Sequence, residues 1–127
     1  MLAMVVDDSR AMRAILRRLL AATGCEVVEA DNGRSALDAL NTMETIPDLA
    51  LVDWNMPEVN GLEFIGAVRA QPQLRDITLM MVTTESDPRQ IVKAMAAGAH
   101  EYIIKPFTAD VITDKLSFLG LLNRAAA

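Results

Sequence analysis

Apolar residues fall along this chain in two alternating rhythms, short unbroken runs and longer stretches with helical spacing. The runs cover Leu2–Val6, Glu26–Ala30, 49–53, 79–83 and 101–105. They are too short and too continuous for half-exposed antiparallel strands, and they suit parallel strands buried on both faces. Residues 10–23 predict the clearest helix, with Met12, Ile15, Leu16, Leu19 and Leu20 on one face and Arg10, Arg13 and Arg17 on the other. Gly24 stands where a left-handed cap is expected. A second helix begins after Asp31-Asn32 with Ala36, Leu37 and Leu40 inward, and a third follows Gly61 with Leu62, Ile65 and Val68 at helical spacing. Pro88 suits the first turn of a fourth, with Ile91, Met95 and Ala96 inward and Gly98 ending it. Thr108 or Asp110 caps a fifth that runs to about residue 123. Strict strand–helix alternation with right-handed crossovers predicts an α/β fold, a doubly wound sandwich in a single domain over residues 1–127.

Composition narrows the classes. With 52% hydrophobic residues in 127, the chain can bury one real core without a disulfide or a structural metal. The lone Cys25 opens a predicted strand and is read as a small buried hydrophobe. No apolar run approaches the roughly 20 residues needed to span a bilayer. The N-terminal apolar run lacks a basic lead and passes straight into Asp7-Asp8, so it is not a signal peptide, and a cytoplasmic protein is expected. A net charge of −5 argues against a nucleic-acid surface.

The chemistry lies at the strand ends. The first run ends at Asp7-Asp8, the third at Asp53, the fourth at Thr83-Thr84 and the fifth at Lys105. In an open parallel sheet, ligands bind outside the carboxyl ends of the strands, near the switch in strand order. Two carboxylates about 4 Å apart repel by ~1 kcal/mol in water and about 4 kcal/mol at an effective dielectric of 20. Three in one cleft therefore call for a cation. A hard ion such as Mg²⁺ suits carboxylate and carbonyl oxygens, and the absence of a Cys/His cluster makes zinc a poor fit. Asp53 could then attack a phosphoryl group as a carboxylate nucleophile, with Lys105 and the Thr83 hydroxyl facing the phosphoryl oxygens.

Val5-Val6-Asp7-Asp8, Asp53-Trp54-Asn55-Met56-Pro57 with Asn60-Gly61-Leu62-Glu63, Val82-Thr83 and Tyr102-Ile103-Ile104-Lys105-Pro106-Phe107 together resemble a response-regulator receiver domain. The likeness runs nearly end to end and is strongest to single-domain chemotaxis regulators. It implies a flavodoxin-like fold with strand order 2-1-3-4-5. It also implies Asp53 as the phosphoacceptor, with Mg²⁺ held by Asp8, Asp53 and the backbone carbonyl of Asn55, and with Asp7 reaching the ion through water. Thr83 and Lys105 would contact the phosphoryl group, Tyr102 would be the switch aromatic, and Lys105-Pro106 would be a cis peptide. Asn55 and Glu85 occupy positions that tune phosphoryl lifetime, and their identity suggests a short-lived signal. The implied phosphodonor is a histidine kinase or a histidine phosphotransfer protein. The implied output is a protein target on the face of the fourth helix, fifth strand and fifth helix, with the chain a monomer or a phosphorylation-dependent dimer.

Other residues have plainer readings. Trp54 is expected to be a partly exposed neighbour of the site, His100 a surface residue, and the Arg10, Arg13 and Arg17 face a solvated one. In the last helix Ile112, Leu116 and Leu119 should pack on the sheet, leaving Val111, Phe118 and Leu122 as a second apolar stripe that joins the output face. Asp87-Pro88 stands where chemotaxis regulators carry a lysine pair, Ser9 replaces an aromatic, and Lys115 is kept. These departures leave the phosphorylation chemistry untouched and weaken the case for flagellar-switch binding. An aspartate-nucleophile phosphohydrolase is disfavoured because Asn55 stands where such enzymes place a second acid. A flavin module is disfavoured because Asp7-Asp8 would repel its phosphate. A receiver belonging to a larger regulator is a third reading, set against the absence of a linker after the last helix.

Overall fold

The computed structural model describes residues 1–121. Strands β1 (Leu2–Val6), β2 (Glu26–Ala30), β3 (Leu49–Val52), β4 (Thr78–Thr83) and β5 (Glu101–Ile104) form one sheet, every neighbouring pair parallel, in the order β2-β1-β3-β4-β5. Helices α1 (Arg10–Ala22), α2 (Gly33–Thr42), α3 (Gly61–Ala70), α4 (Pro88–Ala97) and α5 (Ala109–Phe118) fill the connections, with a short 3₁₀ turn at Pro72–Leu74. The flavodoxin-like topology expected from the sequence is the one observed.

Side chains of the three central strands alternate between two cores, as the two-residue strand period requires. Met4, Val6, Ala50, Val52, Leu79 and Met81 join Phe64, Ile65 and Val68 of α3 and Ala36 and Leu40 of α2. Ala3, Val5, Leu49, Leu51, Met80 and Val82 join Leu16 and Leu20 of α1 and Ile112 and Leu116 of α5. Both faces of the sheet are thus dry, which explains why the strands read as continuous apolar runs. Beyond β1 the chain winds to one side through β2, then returns to the other through β3. The switch point therefore falls between the ends of β1 and β3, where Asp7-Asp8 and Asp53 sit.

Several local expectations are corrected. Asp53 and Lys105 lie one residue past their strands, although each still donates its backbone N–H across the ladder, Asp53 to Val6 O at 2.9 Å and Lys105 to Thr83 O at 2.8 Å. On α4 the buried residue is Ala94, joined by half-buried Ala97, while Met95 and Ala96 face out. That helix carries exposed Arg89 and Lys93, and among its apolar residues the small Ala94 and Ala97 take the buried place beside α3. Ile15 is 48% exposed rather than inward. Trp54 is buried in the α2–α3 core, since its backbone turns inward where Gly61 packs against it. Gly24 (φ 92°) and Gly98 (φ 124°) adopt the left-handed backbone expected after α1 and α4. Thr108 is the N-cap of α5 but makes no side-chain capping bond. Ile112 and Leu116 are buried, Leu119 packs beside them, and Val111 and Phe118 are exposed; Leu122 lies outside the described residues.

One tertiary tie has no sequence signature. Arg69 at the end of α3 donates to Gly98 O through Nε (3.1 Å) and Nη2 (2.9 Å), and through Nη1 to Arg75 O and Ile77 O, both at 2.9 Å. Its Nη2 also lies 3.1 Å from His100 Nδ1, which receives the Leu79 N–H at 3.1 Å. Two donors on Nδ1 require an unprotonated nitrogen there, with the ring hydrogen on Nε2. Burial, and then the Arg69 charge, hold the His100 pKa below its ordinary 6.5. The unfolded chain thus takes up this proton first as pH falls, so the stabilising contribution is present above pH 6.5 and is lost as pH drops through the folded value. Thermal melts of wild type and His100→Asn should diverge below that pH, the wild type losing more; a constant difference across the range would contradict this assignment.

Candidate functional site

Four chain segments converge at the carboxyl end of the sheet. Asp7 extends β1 and is 1% exposed; Asp53 follows β3 at 8%; Thr83 ends β4 at 0%. Asp8 is exposed at the rim, and Lys105 follows β5. One carboxylate oxygen each from Asp7, Asp8 and Asp53 lie within 4.8 Å of one another. The Lys105 ammonium enters this cluster, 2.8 Å from Asp7 Oδ2 and 3.7 Å from Asp53 Oδ2.

Asp7 is the anchored acid. Its Oδ1 accepts the Ser9 N–H at 2.8 Å, its Oδ2 accepts Lys105, and its backbone N–H donates to Ala30 O at 3.1 Å. Its backbone carbonyl accepts Arg13 Nη1 at 2.7 Å. Asp8, by contrast, is open to solvent. Asp53 sits between these extremes. Burial raises its carboxyl above the ordinary carboxylate range, Thr83's hydroxyl and Lys105 oppose that, Asp7 adds repulsion, and the Asn55 N–H lowers it again. The carboxylate is therefore only partly compensated by the protein, leaving room for further positive charge.

The backbone around Asp53 is shaped by its neighbours. Asn60 and Glu63 form a reciprocal capping box, Asn60 Oδ1 accepting Glu63 N–H at 2.9 Å and Glu63 Oε1 accepting Asn60 N–H at 3.0 Å. This starts α3 at Gly61, whose N–H donates to Trp54 O at 2.9 Å. A Cβ at Gly61 would lie 2.3 Å from the Asp53 carbonyl oxygen, so only glycine admits this approach.

Tyr102 does not touch the acid cluster. It is half-buried, packed against the α2–α3 core, and its hydroxyl donates to Glu85 O at 2.7 Å, while Glu85 N–H lies 3.4 Å from Thr83 Oγ1. Burial, followed by the charges of Glu85 and Asp53, pushes the Tyr102 phenol up to about 12, so it remains a donor. Thr83, Glu85 and Tyr102 thus form a strand-to-strand path from the site toward α4. Asn55 is exposed and Glu85 half-buried beside the cluster, and the Lys105-Pro106 peptide is cis. Sequence reasoning missed Arg13 and its partner Glu29. Their only signal was an arginine one turn into α1, which amphipathic spacing assigns to solvent.

The donor set is all hard oxygen. It matches a small divalent cation and offers nothing to a softer metal.

The response regulator receiver domain model matches residues 3–117. The chain belongs to that family. A Campylobacter jejuni chemotaxis protein CheY homolog is 44% identical over 114 residues, spanning 89% of this chain and 87% of the relative. Chemotaxis protein CheY1 of Helicobacter pylori is 41% identical over the same length, covering 89% and 91%. The solved structure of Vibrio cholerae chemotaxis protein CheY4 superposes with a TM-score of 0.84 at 33% identity, over 92% of this chain and 96% of that one. Receivers are phosphorylation-activated switches of two-component signalling, and their acidic pocket binds Mg²⁺. In this chain Asp7, Asp8 and Asp53 form an acidic cluster at the carboxyl end of the sheet. Among the described residues, no helix is long and apolar enough to cross a membrane.

Proposed function

We propose that Asp53 is the phosphoacceptor of this receiver and that the chain acts as one switch domain in the cytoplasm. The observation that carries this reading is the pairing of a buried, under-compensated Asp53 with Lys105 at 3.7 Å and Thr83 alongside. The Asp53 carboxylate attacks the phosphorus of a phosphohistidine on a kinase or phosphotransfer protein. A P–O bond forms, the P–N bond breaks, and the imidazole leaves. Lys105 is held by Asp7 so that its ammonium faces the incoming phosphoryl oxygens, and the Thr83 hydroxyl donates to one of them. Asp8, Asp53 and the Asn55 carbonyl would hold Mg²⁺, with Asp7 reaching it through water; when bound, the ion supplies charge neutralisation to the phosphoryl group. Water later returns the carboxylate, at a rate that Asn55 and Glu85 set from either side.

The Thr83–Glu85–Tyr102 path carries the change to α4, β5 and α5. That face already exposes Val92 (66%), Met95 (40%), Ile104 (42%), Val111 (38%) and Phe118 (82%), an apolar surface suited to a protein target or a second copy. The chemotaxis names of the relatives support a role in such a pathway. Beryllofluoride with Mg²⁺ mimics the acyl phosphate. Adding it should shift the amide resonances of Thr83, Glu85, Tyr102 and the α4–β5–α5 face, and Asp53→Asn should abolish the shifts. Changes confined to the Asp53 loop would contradict the output assignment.

A further inference from the structure

We propose that Arg13 is a positioning residue for phosphoryl acceptance, acting through the Asp7–Asp8 peptide; this rests on the reading of Asp53 above. Amphipathic spacing placed Arg13 on a solvated face, but its side chain is only 16% exposed, against 53% for Arg17 one turn on. Its Nη1 donates to Asp7 O at 2.7 Å while its Nε pairs with Glu29 Oε1 at 3.3 Å. Arg17 pairs with the other oxygen of the same Glu29. The guanidinium is thus held from β2 and aimed at one carbonyl of the β1–α1 loop.

That carbonyl belongs to the peptide joining the two acids. Fixing its plane directs the Asp7 side chain toward Lys105 and leaves Asp8 at the rim. A continuous chain of contacts therefore runs from Glu29 through Arg13 and Asp7 to Lys105 and Asp53. Without Arg13 the preceding peptide keeps its tie from the Asp7 N–H to Ala30 O, but the peptide joining the two acids loses the donor on its carbonyl. Rotation of that plane would misplace the ammonium and the rim carboxylate together. Small misplacements of this kind lower the rate of reaction more than the binding of the reactants.

Arg17 supplies the control, because it shares the helix and the Glu29 partner but does not touch Asp7. Arg13→Met, Arg13→Lys and Arg17→Met would be compared with wild type in two assays: Mg²⁺ alone titrated by Trp54 fluorescence, and acetyl phosphate labelling over a range of donor concentrations. Arg13→Met should lower the maximal labelling rate roughly tenfold and weaken Mg²⁺ severalfold, with the half-saturating donor concentration changed less than about twofold. Arg13→Lys, which keeps a donor and a charge but not the planar fork that meets Asp7 O and Glu29 together, should recover only part of the loss and bind Mg²⁺ roughly twofold or more weaker than Arg17→Met. Arg17→Met should match wild type in both assays. Wild-type behaviour of Arg13→Met, or equal losses in Arg13→Met and Arg17→Met, would overturn the proposal. Failure of wild type to label, together with no beryllofluoride-induced change in Trp54 fluorescence, would instead reject Asp53 as acceptor, and the Mg²⁺ titration would still decide for or against Arg13. If Arg13→Met does not fold, Arg13→Lys carries the test: a loss of roughly twofold or more in Mg²⁺ affinity relative to Arg17→Met supports the proposal, and no loss overturns it.

Discussion

Lys105→Met is expected to slow Asp53 phosphorylation by about a hundredfold or more, the scale for removing one oriented donor from a developing phosphoryl charge. The methionine keeps the apolar stem and removes only the ammonium that bridges Asp7 at 2.8 Å and Asp53 at 3.7 Å. Two consequences follow from its absence. The phosphoryl oxygens lose a cation, and Asp53 loses one of the groups that hold its carboxyl down against burial. Stability should fall as well. Asp7 is almost fully buried and Lys105 is its only ion-pair partner among the described residues, so the loss should approach the ~3 kcal/mol typical of breaking a buried pair from one side. Labelling kinetics with acetyl phosphate and denaturant melts at neutral pH check both effects. A variant that labels at the wild-type rate would remove Lys105 from the chemistry.

Gly61→Ala should be strongly destabilising. The new carbon would sit 2.3 Å from the carbonyl oxygen of Asp53 and 2.9 Å from the Trp54 Cα, both backbone atoms that cannot swing aside. Relief requires α3 to move off the β3–α3 loop, breaking the Gly61 N–H to Trp54 O bond and loosening the Asn60–Glu63 cap. Overpacking of this kind costs about 1–3 kcal/mol, and the lost bonds add roughly another 1 kcal/mol. Gly66→Ala, with nothing within 4 Å of its added carbon, is the matched control on the same helix and should be neutral or slightly stabilising. Chemical denaturation of the pair, together with the labelling rate of Asp53, separates a packing defect from a displaced acceptor. Equal stability of the two variants would contradict the close approach seen at Gly61.

Much of this architecture is legible in the sequence because the physics is local there. The central strands, buried on both faces, must read as short apolar runs with charged residues only where those runs stop, while the edge strands admit an exposed glutamate such as Glu29. The positions of Asp7, Asp8, Asp53, Thr83 and Lys105 are therefore written in the pattern itself. The misread residues share a different cause. Trp54 was assigned partial exposure because it adjoins a charged site, yet its side chain is directed by a loop whose path depends on Gly61, and no local pattern records that. Arg13 is a polar residue that spacing alone assigns to solvent, yet Asp7 and Glu29, far from it along the chain or across a loop, hold it half-buried. His100 is exposed as expected, but no local pattern records its bonds to Leu79 and Arg69. On α4, Ile91, Val92, Ala94, Met95, Ala96 and Ala97 are all apolar, and tertiary packing selects Ala94 and Ala97 among them as the buried edge.

The acceptor role of Asp53 is tested most directly by intact-mass spectrometry of the chain incubated with Mg²⁺ and acetyl phosphate, with Asp53→Asn treated in parallel. One added phosphoryl group on the wild type, absent without Mg²⁺ and absent from the variant, is the expected result. An adduct that persists in Asp53→Asn, or no adduct together with no beryllofluoride-induced change in Trp54 fluorescence, would contradict it.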